Sequence, residues 1–159
     1  ACDYYDEFEK NKIIIPAIVK NASYAFDERK FYSNDKTSII PTNDKYLLGL
    51  INSKPADYFL KSIASTKQGG YFEYKPMYVS KLPIKLIDLE NKGLQTLHDE
   101  IVKLVNTMLQ LQQQKQQATL ANQIEQADQR IIHTDNAINQ KVYQLYDLTE
   151  EEIKIIEEA

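Results

Sequence analysis

The clearest pattern along the chain is a repeat of apolar positions in its second half. Apolar residues recur at alternating spacings of three and four from Leu94 to Leu111, and a second series with one irregular step runs from Leu120 to Leu145. Each series is typical of a long helix with a single apolar seam. Residues 112–117 between them include no apolar residue. The gap predicts a reversal near residues 116–119, with Thr119 as a helix cap, although one continuous helix remains an alternative.

The first half shows shorter runs. β-branched and aromatic residues cluster at 12–18, 23–27 and 31–40, which predicts a small antiparallel meander with Pro16 at a sheet edge or a bulge. Thr42 or Asn43, and then Ser53, predict the starts of two helices. The run TKQGG at 66–70 predicts a turn before a further strand at 71–74.

The fold class that follows is α+β. A small mixed α/β domain occupies residues 1–87, and a long antiparallel α-helical hairpin of coiled-coil type occupies residues 88–159. The hairpin ends in a short C-terminal helix, because Thr149 and Glu152 have the spacing of a capping box. We expect this last helix to pack on the base of the hairpin.

Charge divides the chain in the same way. Residues 1–10 carry a net charge of −3, residues 11–87 carry +6 and residues 88–159 carry −7. A basic segment attracts phosphate, whereas an acidic one is repelled. Only the first half is therefore a candidate for contact with nucleic acid, although solvated lysines alone would give the same count.

Composition excludes several classes of protein. The single cysteine, Cys2, cannot form an internal disulfide, and His98 and His133 add too few ligands for a structural metal site. No run of residues is long and apolar enough for a membrane span, and no signal peptide is present, so we expect a cytoplasmic protein. A start without Met, in the middle of a pattern, indicates a piece of a longer polypeptide. No motif of an assembled active site occurs, and we predict no catalytic residue here.

The candidate chemistry lies around the glycine turn. Cations and an amide flank two glycines next to aromatic rings, in the set Lys67, Gln68, Gly69, Gly70, Tyr71, Tyr74 and Lys75. Glutamine can pair with adenine, lysine can reach guanine or phosphate, and tyrosine can stack on a base. From the residues alone, a base-reading loop and a tight turn beside core tyrosines are equal alternatives.

Four separated stretches carry a resemblance to a known family. They are DYYDEFEKNKIIIPAI at 3–18, FYSNDKTSIIPTNDKYLLGLINSK at 31–54, QGGYFEYKPMYVSKLPI at 68–84 and VYQLYDLTEEEIKIIE at 142–157. In these stretches the chain resembles the C-terminal specificity domain of TaqI-like adenine-specific DNA methyltransferases, including fused type IIG restriction-modification enzymes.

The resemblance implies a parent with an upstream methyltransferase domain that uses S-adenosylmethionine and is often fused to a nuclease. It implies that this chain selects the target in double-stranded DNA and that the helices act as a spacer. The family's Asn-Pro-Pro-Tyr motif is absent, so no cofactor or methyl-transfer role passes to any residue here. Contact roles pass only to the QGGYFEYKP stretch and to the turns around Arg29 and Asn34.

Two other interpretations stay open. One is half of a type I restriction specificity subunit, which also combines a recognition domain with long helices. The other is a scaffold or oligomerisation module whose heptad seams recruit a partner helix. A homodimer through the hairpin is a further expectation.

Overall fold

The computed structural model describes residues 5–88 and 90–159, and the lone Cys2 lies outside this part. The chain forms two compact units that divide between Ile84 and Lys85. The first unit is α+β and the second is helical, which confirms the predicted fold class. The elements of the first unit are a 3-10 helix (Tyr5–Glu9), β1 (Lys12–Pro16), β2 (Ile18–Val19), β3 (Ala25–Asp27), β4 (Thr37–Pro41), α1 (Lys45–Ile51), α2 (Lys54–Ile63), β5 (Thr66–Lys67), β6 (Tyr71–Glu73) and α3 (Pro76–Val79).

The strands form two small antiparallel sheets rather than one meander. The first has the order β3-β1-β4 and the second has the order β2-β6-β5. The predicted strand at 12–18 is therefore two strands that belong to different sheets, and β1 lies in the centre of the first. The meander prediction was wrong because long-range pairing, which local patterning does not encode, determines the strand order.

The chain passes from the first sheet to the second at Ala17, which lies between β1 and β2 and bonds to segments beside both sheets. Its N–H donates to the carbonyl of Lys36 at 2.9 Å, and its carbonyl accepts from the N–H of Tyr74 at 2.9 Å. Pro16 was predicted at an edge or a bulge, yet it ends a central strand. It is tolerated there because it pairs only with Thr37 of β4, beyond the end of β3, so its missing N–H leaves no ladder bond unmade.

A polar residue precedes each of the two helices that follow, although only the first helix is capped by a side chain. The α1 N-cap is Asp44, whose carboxylate accepts from the N–H of Leu47 at 2.9 Å, so the predicted caps Thr42 and Asn43 were one or two residues early. Ser53 precedes α2 as predicted, with a proline in its first turn. Side chains from these helices and from both sheets fill the core, which includes Ile13, Ile15, Val19, Leu48, Leu50, Ile51, Leu60, Tyr74 and Val79.

The second unit is an antiparallel helical hairpin. Helix α4 spans Lys92–Gln117 and α5 spans Ala121–Leu145, so the chain reverses where the apolar gap predicts. The cap of α5 is Leu120 rather than the predicted Thr119. Ion pairs join Lys141 to Glu100 at 2.7 Å and Lys115 to Asp128 at 2.6 Å. These pairs run in opposite directions along the two helices, which confirms a hairpin over one continuous helix.

The apolar seams face each other inside the hairpin. Predicted seam positions are buried in both helices, among them Ile101, Leu111, Ala127, Ile138, Val142 and Leu145. Val105, Asn139 and Tyr143 are also buried, although they lie outside the two predicted series. The buried stripe is therefore wider than one residue in each turn, as in a helix of a globular protein.

The final helix, α6, spans Glu150–Glu157 and begins with the predicted capping box. The N–H of Glu152 donates to the Thr149 hydroxyl at 3.3 Å, and the N–H of Thr149 donates to the Glu152 carboxylate at 2.8 Å. The Glu152 carboxylate also accepts from the Thr149 hydroxyl at 2.9 Å, and the bonds from the N–H and the hydroxyl of Thr149 hold the pKa of Glu152 below its ordinary value. The Tyr143 hydroxyl donates to Glu157 at 2.6 Å, which ties α6 to α5.

We expect Thr149→Ala to loosen α6 by about 1 kcal/mol, because an N-cap hydroxyl of this kind contributes roughly 0.5–2 kcal/mol. Amide hydrogen exchange in α6 should then quicken by about fivefold, since 1.4 kcal/mol corresponds to tenfold. Thr119→Ala is the control, because Thr119 is exposed and caps no helix in the structure. Equal exchange in the two variants would contradict the capping role.

Candidate nucleic-acid interface

The predicted glycine turn is the tip of a β-hairpin. Strands β5 and β6 pair antiparallel with Lys67 opposite Tyr71, and Gln68, Gly69 and Gly70 form the exposed loop between them. Gly69 has φ +83° and Gly70 has φ +76°. Side chains with a Cβ rarely adopt this backbone, so glycine is required for the shape of the turn rather than for space. The tip therefore exposes the Gln68 side chain next to two residues that have no side chain.

Period-two alternation divides the second sheet into two faces. Ile18 lies opposite Glu73, and Lys67 lies opposite Tyr71, so these four side chains share one face. Val19 lies opposite Phe72 and belongs to the other face, which packs on the core. Lys20 and Lys75 continue the first face, because each is two residues beyond a member of it. We call this exposed surface the lysine face, and its members are Ile18, Lys20, Lys67, Tyr71, Glu73 and Lys75.

Charges on the lysine face are paired but unequal in number. Lys75 Nζ lies 2.8 Å from Glu73 Oε1, and Lys67 Nζ lies 3.6 Å from Glu73 Oε2. Lys20 Nζ lies 5.2 Å from the centre of the Tyr71 ring, within range of a cation–π contact. The hydrogen bond between Glu73 and Lys75 lowers the pKa of the carboxyl and raises the pKa of the amine. With three lysines and one ionised glutamate, the face is cationic at neutral pH.

Tyr74 lies beneath this face rather than on it. Its side chain is fully buried, and its hydroxyl donates to Asp57 Oδ1 at 2.8 Å. Burial, together with this bond, raises the pKa of Tyr74 above its ordinary value. Tyr74 therefore has no surface for stacking on a base in this conformation, and its position can only support β6 from below.

The predicted Arg29 contact lies in a turn held by a buried ion pair. Asp27 accepts from the N–H of Arg29 and from the N–H of Phe31, both at 2.8 Å. The same carboxylate lies 2.5 Å from Lys12 Nζ, and the Lys12 side chain is 0% exposed. Burial raises the pKa of Asp27, but the bonds from Lys12, Arg29 and Phe31 outweigh burial, and the net direction is downward. A fixed anion thus organises the whole Arg29 turn.

Asn34 lies in a different turn, just before β4. Its side-chain oxygen accepts from the N–H of Lys36 at 3.0 Å, and its carbonyl accepts from the N–H of Thr37 at 3.2 Å. It also lines a shallow groove with Glu7, Phe8, Ser33, Asp35, Thr37, Ser38, Ile39 and Pro41.

The two turns lie at opposite ends of β1. Asp27 pairs with Lys12 at the start of β1, whereas Thr37 pairs with Pro16 at its end. A strand of five residues spans about 14 Å. Because β2 continues from the Pro16 end, the Asn34 turn is nearer to the second sheet. The structure thus brings Lys67, Tyr71 and Lys75 together but keeps Arg29 apart from them.

The set of candidate residues left out three members of the lysine face, namely Ile18, Lys20 and Glu73, although Glu73 lies within the QGGYFEYKP stretch to which the resemblance gives contact roles. Ile18 lies in β2 and Lys20 directly follows that strand, about fifty residues before the glycine turn, and no local signal links the two segments. The set also left out two exposed aromatic residues beside the Arg29 turn, Phe31 at 57% and Tyr32 at 51% exposure. The Tyr32 ring stacks on Phe8 at 5.3 Å. These aromatic residues directly follow Arg29 and Lys30, and aromatic residues next to basic ones could have indicated a surface for nucleic acid.

In the described ranges 5–88 and 90–159, no group of three metal-ligating side chains comes together. No helix of this part is long and apolar enough to cross a membrane.

Comparison with known proteins addresses the resemblance directly. The family model described as the TaqI-like C-terminal specificity domain matches residues 3–84. This chain belongs to that family. The matched range contains three of the four resembling stretches and ends at Ile84, where the first compact unit also ends. The stretch at 142–157 lies outside it. A comparison with curated proteins found no match.

The first unit is thus a TaqI-like specificity domain, a module for target recognition in restriction-modification. Within the matched range, the domain contains every predicted contact residue and the complete lysine face.

Proposed function

We propose that the specificity domain binds double-stranded DNA through the lysine face and the Gln68–Gly70 tip. The observation that carries the proposal is that Lys20, Lys67 and Lys75 lie on one face of a small sheet. Lys20 is next to the exposed Tyr71 ring, and the other two lysines flank Glu73. Phosphate contacts by lysine supply affinity without regard to sequence, and groups at the tip are placed to reach base edges.

The charge of the whole chain supports this choice of surface. Residues 11–87 carry +6 and residues 88–159 carry −7. A duplex, which carries about one negative charge per 1.7 Å of its axis, is attracted by the first segment and repelled by the second. The helical hairpin is therefore assigned a spacer role rather than a DNA-contacting one.

The tip is suited to reading bases at close range. The Gln68 amide offers a donor and an acceptor, which match the N7 and N6 positions of adenine in the major groove. Gly69 and Gly70 carry no side chain that would keep the backbone away from DNA. Tyr71 is partly exposed and offers a ring for stacking or for support of a displaced base.

The finer assignment concerns the parent protein. We infer a type II restriction-modification enzyme in which an upstream domain binds S-adenosylmethionine and methylates adenine, with this chain selecting the site. The resemblance supports that inference, and the Asn-Pro-Pro-Tyr motif of the family's methyltransferase domain does not occur in this sequence. The homodimer through the hairpin stays a prediction. Because the seams are buried within the hairpin, the exposed large apolar side chains in the described part of the hairpin are Leu120 and Ile132. These two side chains are what the hairpin offers to a second copy.

Salt dependence tests the proposal. If three lysines each neutralise one phosphate, the logarithm of the association constant should fall with the logarithm of salt concentration at a slope of about −2.7. Between 50 and 200 mM salt, affinity for a mixed-sequence duplex should then fall about 40-fold. Fluorescence anisotropy of a labelled duplex with the 159-residue chain measures this. Undetectable or salt-independent binding would contradict DNA contact and favour the scaffold interpretation.

A further inference from the structure

Glu73 is the one acidic member of the lysine face, and it occupies the middle of that face. It lies on the central strand of the sheet, opposite Ile18 on β2 and between the amines of Lys67 and Lys75. Its side chain is 15% exposed, whereas those of the two lysines are 42% and 52% exposed. The carboxylate is thus fixed at the base of the surface, with mobile cations above it.

An anion in this place is unfavourable for general contact with DNA. Glu73 repels phosphate, and it also draws Lys67 and Lys75 away from phosphate oxygens. The lysines, however, have long and exposed side chains that can turn toward phosphate when a duplex approaches. Their departure would leave the Glu73 carboxylate partly buried in the interface without a hydrogen-bond donor, which is costly unless the DNA supplies one.

The major groove offers such donors on only two bases. An ionised carboxylate is an acceptor only, and the accessible edges of guanine and thymine present acceptor atoms that repel it. Adenine presents an amino donor beside the N7 acceptor, whereas cytosine presents its N4 amino group without an adjacent acceptor. The low pKa of Glu73 keeps the side chain in the acceptor form at neutral pH.

We propose that Glu73 is a specificity-determining residue that accepts a hydrogen bond from N4 of a cytosine in the major groove. The position of Glu73 agrees with this role, because it shares one face of the sheet with Tyr71 and Lys67, the side chains that are proposed to meet the duplex. The inference rests on the proposed function, since it assumes that the lysine face meets the duplex.

Selection of binding sites tests the inference. The complete 159-residue chain is used to enrich duplexes from a library with ten randomised base pairs, as wild type, as Glu73→Leu and as Glu125→Leu. Leucine removes the acceptor together with the charge, whereas glutamine would keep an amide oxygen that can accept from the same amino group. Glu125 is an exposed residue of α5, so its variant removes the same charge from the other unit. We expect wild type and Glu125→Leu to require cytosine at one position, and Glu73→Leu to lose that requirement while it keeps the remaining preferences.

A base analogue then isolates the proposed hydrogen bond. In the enriched duplex, 2-pyrimidinone replaces the cytosine and thereby removes only the 4-amino group. The replacement should weaken wild-type binding by about 5- to 150-fold, which is the discrimination expected from a good base contact. It should leave binding by Glu73→Leu unchanged, because leucine has no acceptor for that amino group. A purely structural Glu73 would instead change the affinity for all duplexes equally.

The outcomes separate the two proposals. If wild type binds and selects a sequence but Glu73→Leu selects the same one, the role of Glu73 is refuted and DNA recognition stands. A required adenine, guanine or thymine at the affected position, or binding without any sequence preference, also refutes it. If no duplex is bound at all, the proposed function fails and this inference fails with it.

Discussion

Reversal of two charges on the lysine face, in the variant Lys67→Glu/Lys75→Glu, should weaken DNA binding on the order of 100-fold at 0.1 M salt. Loss of two phosphate contacts makes the salt slope shallower by about 1.8, which corresponds to roughly 60-fold at that concentration, and the new repulsion adds to it. Both the affinity and the slope are read from anisotropy titrations at several salt concentrations.

The matched control for this charge reversal is Lys92→Glu/Lys103→Glu. Both residues are exposed on α4, and their replacement changes the net charge of the chain by the same amount. We expect less than a threefold effect from it, because both lysines lie outside the proposed contact surface and salt screens charges that do not touch the duplex. In the charge-reversed variant, three neighbouring glutamates could unfold the β5–β6 hairpin by mutual repulsion. The neutral variant Lys67→Gln/Lys75→Gln removes the two lysine charges without adding this repulsion. An unchanged slope in that neutral variant would place the DNA contact on another surface.

Removal of the buried cation, in Lys12→Met, should destabilise the first unit by about 3–5 kcal/mol. The Lys12 amine lies 2.5 Å from Asp27 and also donates to the carbonyl of Phe8 at 2.8 Å. Without it, the Asp27 carboxylate stays buried with no counter-charge, a situation that costs far more than the loss of an exposed pair. Amide hydrogen exchange of Ile13 and Ile15 in β1 reports on this unit alone.

Lys36→Met is the control for that substitution, since the ion pair of Lys36 with Asp35 is exposed at 76% and 78%. A change within about 0.5 kcal/mol is expected from it. If Lys12→Met also changed stability by less than 1 kcal/mol, the buried pair would not be what holds the Arg29 turn.

Acidification should remove the contribution of the Lys12–Asp27 ion pair to the stability of the first unit. The folded pKa of Asp27 is lowered, so its contribution to stability is present above the unfolded value of about 3.9 and is lost as pH falls through the folded value. In Lys12→Met the penalty itself should shrink on acidification, because a protonated Asp27 no longer needs a counter-charge.

Local signals in the sequence predicted the second unit well. The heptad seams and the capping box at Thr149 and Glu152 act over one or two helical turns, so they are visible in a short window of residues. The cap of α1 is Asp44 rather than the predicted Thr42 or Asn43. All three side chains can accept a hydrogen bond from the first turn of a helix, so the sequence alone does not single out one of them.

Long-range pairing determined what could not be predicted in the first unit. The position of β1 in the centre of one sheet depends on partners about fifteen and twenty-five residues away. Burial of Lys12 depends on Asp27, and neither residue carries a local sign of the other. On the lysine face, the glycine turn was evident from the sequence, but Lys20 and Ile18 reach it only through the pairing of β2 with β6.

The alternation of side chains along β6 separates residues that pack on the core from residues that form the surface. Phe72 points to the packed side of the sheet, while Tyr71 and Glu73 point to the exposed side, and β2 divides its residues in the same manner. Side chains on the exposed side can therefore be exchanged without a loss of core contacts. One backbone of this kind can carry many different surfaces without a change of fold.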